Sequence, residues 1–154
     1  MATVYSIQKT KWDQSTPAVM IKTNEKAGRI RMAYGEYEAA AIASGTVIEM
    51  FNLPNGARIL SGEATYDALD SSSTLSVGHA AYNNSAGTAV ALDVDEYKAA
   101  AASTTAQSVA CAATIALGKN SVVDADQTGI PITVVTGGAT LTGTIMLVMN
   151  YVID

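Results

Sequence analysis

The chain has a single histidine, a single cysteine and a few short acidic clusters, the residue types from which catalytic and metal sites are built. His79 follows a glycine at the expected end of a strand. One histidine cannot form a histidine-rich zinc site, and the sequence contains no Cys-x-x-Cys pair. Ser76 lies nearby, but no motif places a third catalytic member beside them. The sequence therefore predicts a surface or loop-capping role for His79.

Two acidic clusters offer hard oxygen ligands that suit Ca²⁺. They are Asp93, Asp95 and Glu96 in one segment and Asp124 and Asp126 in another. Neither spacing fits an EF-hand loop. Asp93 is better explained as the cap of a helix, and Asp124 and Asp126 as turn residues. We therefore predict no metal and no cofactor, with a structural Ca²⁺ as the alternative.

Glu49 and Glu63 are candidates for a pair of carboxylates that would hydrolyse a glycoside. Both lie in expected strands, where a glutamate on the solvent face is far commoner than a catalytic acid. The glycines at 56 and at 137–138 match neither the P-loop nor the dinucleotide-binding pattern. We therefore expect no enzyme activity and no catalytic residue. A small enzyme or a carbohydrate-binding jelly roll is the alternative in another functional class.

Composition sets wider limits. A chain of 154 residues predicts one domain that buries a sizeable core. The net charge of −5, with charged residues at 15%, argues against nucleic-acid binding through a basic surface. No apolar run has the length of a membrane helix, and the N-terminus has no signal-peptide core. Cys111 lies in an apolar run, which predicts a buried small hydrophobe. A single cysteine cannot form an internal disulfide, so we expect the protein to stay in the cytosol or within an assembly.

The elements that would position these residues are mostly strands. From Leu141 onward, every second residue is apolar, except that Gly143 occupies one of these positions. This alternation predicts a strand with one buried face, central to the fold. Gly137-Gly138 predicts a hairpin before it. Further strands are predicted at residues 29–43, 46–51, 57–66 with a bend at 61–62, 74–77 and 109–117, the last covered on both faces. In the first of them, Ile30 would face inward and Arg31 outward.

One helix is predicted at residues 94–103, because Asp93 and Glu96 resemble a capping box and an alanine run follows. Leu92 and Tyr97 would anchor it on the sheet. Residues 1–28 are polar with scattered apolar residues, which indicates an N-terminal arm or a first strand, followed by one β-sandwich domain at 29–154. The arm holds the only tryptophan, Trp12, for which we predict a position in the core or in a strand, with an anchor for a partner as the alternative.

Two blocks of sequence resemble known proteins. They are the phrase L-P-N-G-A-R-I-L at 53–60 leading to T-L-S-V-G at 74–78, and the ending T-G-T-I-M-L-V-M-N-Y-V-I-D. Both resemble the capsid decoration, or cement, proteins of tailed bacteriophages. The resemblance covers about residues 45–154 and rests on strand and turn phrases rather than on catalytic signatures.

The resemblance implies a mainly β fold, namely a jelly-roll-like antiparallel β-sandwich with one short α-helix and an extended N-terminal arm. It implies a structural virion protein, assembled in the host cytoplasm, that binds the outside of the capsid and stabilises contacts between major capsid protein subunits. Such a protein would act as a trimer or dimer and bind neither nucleic acid nor membrane. The expected partner-binding residues are Lys9, Lys11, Trp12, Ile21 and Lys22. The alternative is another virion component of similar fold, such as a head-fibre base, a tail protein or a receptor- or carbohydrate-binding module.

Overall fold

The computed structural model describes Val4, residues 6–13, Lys22 and residues 28–153, with only the main chain at positions 12 and 13. Its elements are α1 (Ile7–Asp13), β1 (Ile30–Ile42), β2 (Val47–Leu53), β3 (Arg58–Tyr66), β4 (Thr74–His79), β5 (Tyr82–Asn83), β6 (Ala89–Val90), β7 (Asp93–Ala102), β8 (Gln107–Cys111), a short 3-10 helix (Ile115–Leu117), β9 (Ile130–Gly137) and β10 (Leu141–Val152). Within these ranges, no helix has the length and apolar composition that crossing a membrane requires.

Eight strands form two four-stranded antiparallel sheets. The first sheet has the order β1-β10-β3-β8 and the second has the order β2-β9-β4-β7, while β5 and β6 form a separate two-stranded ribbon. When the ribbon is left out, each strand lies in the other sheet from the strand before it, except β7, which lies beside β4 in the second sheet. This order of strands is that of a jelly roll. The mainly β sandwich predicted from the sequence is confirmed.

The last strand, β10, lies between β1 and β3, as its alternating pattern predicted. Ile145, Leu147 and Met149 point into the core and are fully buried. The pairing with β3 skips Leu60 between Asn150 and Tyr151, which makes a bulge in β3 one residue before the bend predicted at 61–62. The pairing of β10 with β1 stays regular there, and Tyr151 still packs against the core.

The hairpin predicted at Gly137-Gly138 is wrong. Strand β9 pairs with β2 and β4 in the second sheet, whereas β10 pairs with β1 and β3 in the first. Gly138 does turn the chain, with φ of 79°, but the turn carries it from one sheet to the other. Glycines between two alternating runs therefore indicate the turn and not which strands pair.

The helix predicted at residues 94–103 is also wrong, because this segment is strand β7. It pairs with β4, where Val77 lies opposite Lys98 and Leu75 opposite Ala101. A short helix is marginal without packing, and pairing along β4 outweighs the helix propensity of the alanines. Tyr97 is buried as predicted, although in a strand, whereas Leu92 is exposed.

The strand predicted at residues 109–117 is correct only at its start. Strand β8 ends at Cys111, Ala112 has a positive φ of 47°, and the 3-10 helix follows. Within the described chain β8 pairs only with β3, so it is an edge strand, and Ser108 and Ala110 are exposed, so it is not covered on both faces. Its small apolar side chains are therefore a misleading sign of burial on both faces.

Strand β1 faces the opposite way from the prediction. Ala33, Gly35 and Ala39 face the core, and Ile30 and the residues in phase with it face outward. The cause is space, because a Cβ at Gly35 would lie only 2.8 Å from the carbonyl oxygen of Met50 on β2. Only small side chains fit where β1 approaches β2 so closely. Ile30, Met32 and Tyr34 therefore lie on the outside, whereas Tyr37 and Ile42, farther along β1, pack against the core.

The N-terminal segment contains helix α1, which the sequence did not predict. Ser6 precedes it as an N-cap, since its Oγ accepts a hydrogen bond from the Lys9 N–H at 3.2 Å. The side chains of residues 6–10 are exposed. The division into an arm at 1–28 and a sandwich at 29–154 stays a prediction.

Candidate functional site

His79 is the last residue of β4, and its side chain is only 7% exposed. Of the predicted surface or loop-capping role, the surface position is therefore wrong, whereas a hydrogen bond to the residue after β4 agrees with loop capping. Its Nδ1 lies 3.0 Å from the carbonyl oxygen of Ala80. The Tyr82 ring meets the imidazole edge to face at a centroid distance of 5.2 Å, and Tyr97 lies at 6.5 Å. The buried imidazole, packed between two aromatic rings, is the centre of a pocket.

The pocket lies where β4, the β5–β6 ribbon, β7 and the segment before β9 meet, and its volume is about 190 Å³. It is lined by His79, Tyr82, Glu96, Tyr97, Ser121, Val122, Val123, Asp124 and Ile130. The lining joins two tyrosines and a histidine to two carboxylates. Such a mixture of aromatic and convergent polar groups is typical of a binding site for a small group.

The β5–β6 ribbon brings Tyr82 to this pocket. Its loop is tied by Asn84, whose Oδ1 accepts hydrogen bonds from the N–H groups of Ala86 at 3.1 Å and Thr88 at 2.8 Å. The Asp124 Oδ1 accepts a further bond from the Ser85 N–H at 3.1 Å. These bonds fix the ribbon against the opposite wall, so that Tyr82 and Asp124 face each other across a defined space.

The electrostatics of the pocket are negative. Burial raises the pKa of Tyr82, and the charges of Asp124 and Glu96 raise it further. Burial is also the main cause of the raised pKa of Tyr97, with Glu96 next. Hydrogen bonds from Ser85 hold the pKa of Asp124 below its usual value. At neutral pH the tyrosines are therefore protonated while Asp124 carries its charge.

The acidic clusters do not form a metal centre. Across the described ranges, no three His, Cys, Asp or Glu side chains converge as metal ligands would. Asp126 is a turn residue as predicted, since its Oδ1 accepts bonds from the Thr128 N–H at 2.8 Å and hydroxyl at 2.5 Å. Asp93 caps no helix, and its Oδ1 instead accepts the Asp95 N–H at 3.1 Å at the start of β7.

The other candidate catalytic residues are not brought together. Glu49 lies on β2 and Glu63 on β3, in different sheets, and both are exposed on the outer faces of the sandwich. The stacked sheets, about 10 Å apart, separate the two carboxylates. Ser76 and His79 are three positions apart in β4 and so point to opposite faces of the sheet. The geometry supports neither a glycosidase pair nor a triad.

Cys111 is buried, as predicted for a small hydrophobe. Burial raises the pKa of its thiol to about 11, so it is protonated and unreactive at neutral pH. Lys98 is buried too, and its Nζ donates to the carbonyl oxygens of Leu75 and Ala99, both at 3.2 Å. Burial lowers the pKa of this ammonium group. These two groups belong to the core rather than to a reactive site.

A second surface feature, the β1 face, lies on the first sheet. It consists of Ile30, Met32 and Tyr34 on β1 with Met146 and Val148 on β10. Ile30, Met32 and Tyr34 are 70%, 63% and 48% exposed. The register places Val148 opposite Tyr34, so these side chains form one continuous apolar stripe.

Carboxylates border the β1 face. Glu36 and Glu38 continue β1 on the same side, and Glu63 lies beside Val148 on β3. The hydroxyl of Tyr34 donates to Glu36, which is the main cause of its raised pKa. The Thr144 hydroxyl lies 2.6 Å from the Glu38 carboxylate and donates to it. An apolar centre with a polar border is the usual anatomy of a protein-binding surface.

The predicted partner-binding residues are only partly located by the structure. Lys9 is exposed on α1, Lys11 is half-buried in the same helix, and Lys22 is exposed. The main chain of Trp12 lies in α1, and its side chain and Ile21 lie outside the described residues. Their role stays a prediction.

Neither the pocket nor the orientation of the β1 face follows from the sequence prediction. The pocket residues come from four separate segments and share no spacing that a motif could display. The small residues at 33, 35 and 39 are the available signal for the inward side of β1. This signal is easily overlooked, because apolar size is normally the better guide to burial.

Comparisons with known proteins address the fold. No family model matches the sequence, and no curated protein matches it either. Among solved structures, a chain of the capsid asymmetric unit of cyanophage Pam1 is similar, with a TM-score of 0.63 and 17% identity over 92% of this chain and 97% of that one. A chain of the capsid of Ralstonia phage GP4 has a TM-score of 0.61 and 21% identity over 88% of this chain and 91% of that one. The protein therefore has the fold of these phage capsid chains.

Proposed function

We propose that the protein is a structural component of a phage virion that binds the outside of the assembled capsid and stabilises contacts between major capsid protein subunits. The likeness to two phage capsid chains, over 92% and 88% of this chain, carries the proposal. Each likeness spans nearly the whole of both chains, which suits a protein with one structural role. The work of this molecule is then adhesion and not turnover.

The β1 face is the surface that suits the docking of a capsid subunit. Its stripe of exposed apolar side chains would be covered on binding, and burial of apolar area drives association. Its carboxylate border would pair with basic residues on the shell and select the orientation. The occupant we propose has an apolar centre and a basic rim.

Edge pairing is a second reason to choose this surface. Strand β1 is thirteen residues long and, within the described chain, hydrogen-bonds only to β10. A long exposed edge is a template for pairing with another chain unless it is protected. A capsid subunit that covers the β1 face would protect this edge as well.

The N-terminal residues would add a second contact. Lys9, Lys11 and Lys22 supply positive charge to a chain of net charge −5, and Trp12 supplies a large apolar anchor. We propose that they and Ile21 contact the shell beside the sandwich domain. The protein would act as a trimer or dimer that bridges neighbouring capsid subunits.

A charge placed in the β1 face should weaken capsid binding. We expect Met32→Asp to lower the affinity for empty capsids of the same phage at least tenfold, about 1.4 kcal/mol, because the new carboxylate would be buried without a partner. The measurement is co-sedimentation of purified protein with capsids over a range of protein concentrations.

Leu92→Asp is the matched control, since Leu92 is a similarly exposed apolar residue before β7 in the second sheet. It should bind as the wild type does. Equal binding by Met32→Asp would contradict the role of the β1 face. Mass spectrometry of separated heads and tails tests the wider proposal, because recovery of the protein only with tails would favour the other virion components.

A further inference from the structure

We propose that the pocket around His79 binds a guanidinium group, namely the side chain of an arginine presented by a partner protein chain. Three features of the pocket point to this ligand: the hydrogen-bonding state of the imidazole, the two carboxylates and the tyrosine ring beside them. None of the three depends on the capsid role.

The imidazole offers a hydrogen-bond acceptor. Its Nδ1 lies 3.0 Å from a carbonyl oxygen, that of Ala80, and so must carry the proton and donate. In the neutral form of the ring the other nitrogen, Nε2, is an acceptor, and it has no hydrogen-bond partner among the described residues. The side chain is more than nine-tenths buried and lines the pocket. Nε2 is not among the fully buried atoms without a partner, so a donor on a ligand that enters the pocket can reach it.

Because two carboxylates line the pocket, the ligand that donates to Nε2 should carry a positive charge. Asp124 accepts hydrogen bonds from the N–H and from the side chain of Ser85, and its charged carboxylate lines the pocket. Glu96 lies across the pocket, and both charges reach the hydroxyl of Tyr82. Among the residues that line the pocket there is no lysine or arginine to neutralise them. Guanidinium carries only donors and pairs with carboxylates through two parallel bonds.

Tyr82 provides an aromatic surface for the same group. Its ring stands nearly perpendicular to the imidazole, with an interplanar angle of 82°. Planar guanidinium stacks on tyrosine faces, which ammonium does less well. The pocket volume of about 190 Å³ holds several waters at about 30 Å³ each, so a guanidinium would enter without rearrangement of the walls.

The single histidine makes the proposal directly measurable. The probe is N-acetyl-arginine-N-methylamide, titrated into full-length protein with ¹⁵N-labelled histidine, and the signal is the Nε2 resonance of the only histidine in the chain. We expect a saturable shift of Nε2, and no shift with the citrulline analogue, which has the same shape without the charge. A neutral methyl glycoside should also leave the resonance unchanged. Absence of a saturable arginine shift, or an equal response to citrulline or glycoside, would overturn the proposal.

Variants that keep the shape of the pocket test the charges. Asp124→Asn and Glu96→Gln should each weaken arginine binding about tenfold, as expected for the loss of one charged hydrogen-bond partner. Asp126→Asn is the control, because Asp126 is committed to Thr128 and does not line the pocket. Equal binding by all three variants would contradict the assignment.

Sedimentation velocity separates the two sources of the arginine. If Asp124→Asn lowers the oligomeric state of the wild type, the arginine belongs to a second copy of this chain. If the oligomeric state is unchanged, the arginine belongs to a different protein. Either result supports the site, provided that the arginine probe binds.

Discussion

The substitution Leu147→Ala should lower the free energy of unfolding by about 3–5 kcal/mol. Leu147 is fully buried near the middle of β10, the strand that joins β1 and β3 in the first sheet. The change removes three carbon atoms from a well-packed core and leaves a cavity that the two sheets cannot close. Urea denaturation, with linear extrapolation to zero denaturant, measures the difference.

Leu92→Ala is the matched control for this prediction. The same side chain is removed, but Leu92 is 47% exposed before β7. We expect a loss of less than about 1 kcal/mol, because much of the side chain is already in water. Comparable losses in the two variants would mean that β10 is not the centre of the core.

The second large effect is expected at Gly78, which lies in β4 next to the pocket. A Cβ here would lie 2.0 Å from the carbonyl oxygen of Asp93 and 2.5 Å from the carbonyl carbon of Val94. Both are main-chain atoms, so the clash cannot be relieved by a side-chain rotation. Gly78→Ala should push the start of β7 away from β4 and destabilise the fold by about 3 kcal/mol, near the upper end of overpacking costs.

The control for the second prediction is Gly45→Ala. Gly45 has φ of 83° and no atom within 4 Å of an added Cβ, so the variant carries only the cost of a strained main chain, about 1–2 kcal/mol. Hydrogen exchange locates the effect, because Gly78→Ala should release the amides at the start of β7 and Gly45→Ala should not. Unchanged protection in β7 would contradict the close approach of the two strands.

The sequence predicts those strands whose pattern reflects one buried face. Strand β10 is the best example, since alternation from Leu141 to Met149 can arise only when one face meets a core. The turn at Pro54-Asn55-Gly56 is also predictable, because proline fixes φ at its position and glycine readily adopts the positive φ of 80° found at Gly56. These signals are local, and no distant partner is needed to interpret them.

The errors occur where a distant partner decides the structure. Residues 93–102 prefer a helix by themselves, yet they form β7 because β4 offers an edge to pair with. The inward side of β1 depends on the nearness of Met50, which no pattern within β1 reveals. Gly137-Gly138 is compatible with a hairpin and with a crossing between sheets, and the choice depends on four other strands.

The pocket is out of reach of sequence analysis for the same reason. His79, Tyr82, Glu96 and Asp124 come from different elements, and only the folding of the β5–β6 ribbon against the segment before β9 brings them together. A lone histidine at a strand end has no local sign of burial, so the sequence predicts a surface or loop-capping role for His79. Its burial follows from the closing of β7 and the ribbon over it.

Adhesion to a capsid, the central claim, has a direct test in cryo-electron microscopy of empty capsids of the same phage, imaged with and without saturating amounts of this protein. We expect added density on the outer surface that fits the jelly roll, with the β1 face turned toward the shell and density for Lys9, Lys11 and Lys22 beside it. Capsids that show no added density, while the folded protein stays in solution, would contradict the claim.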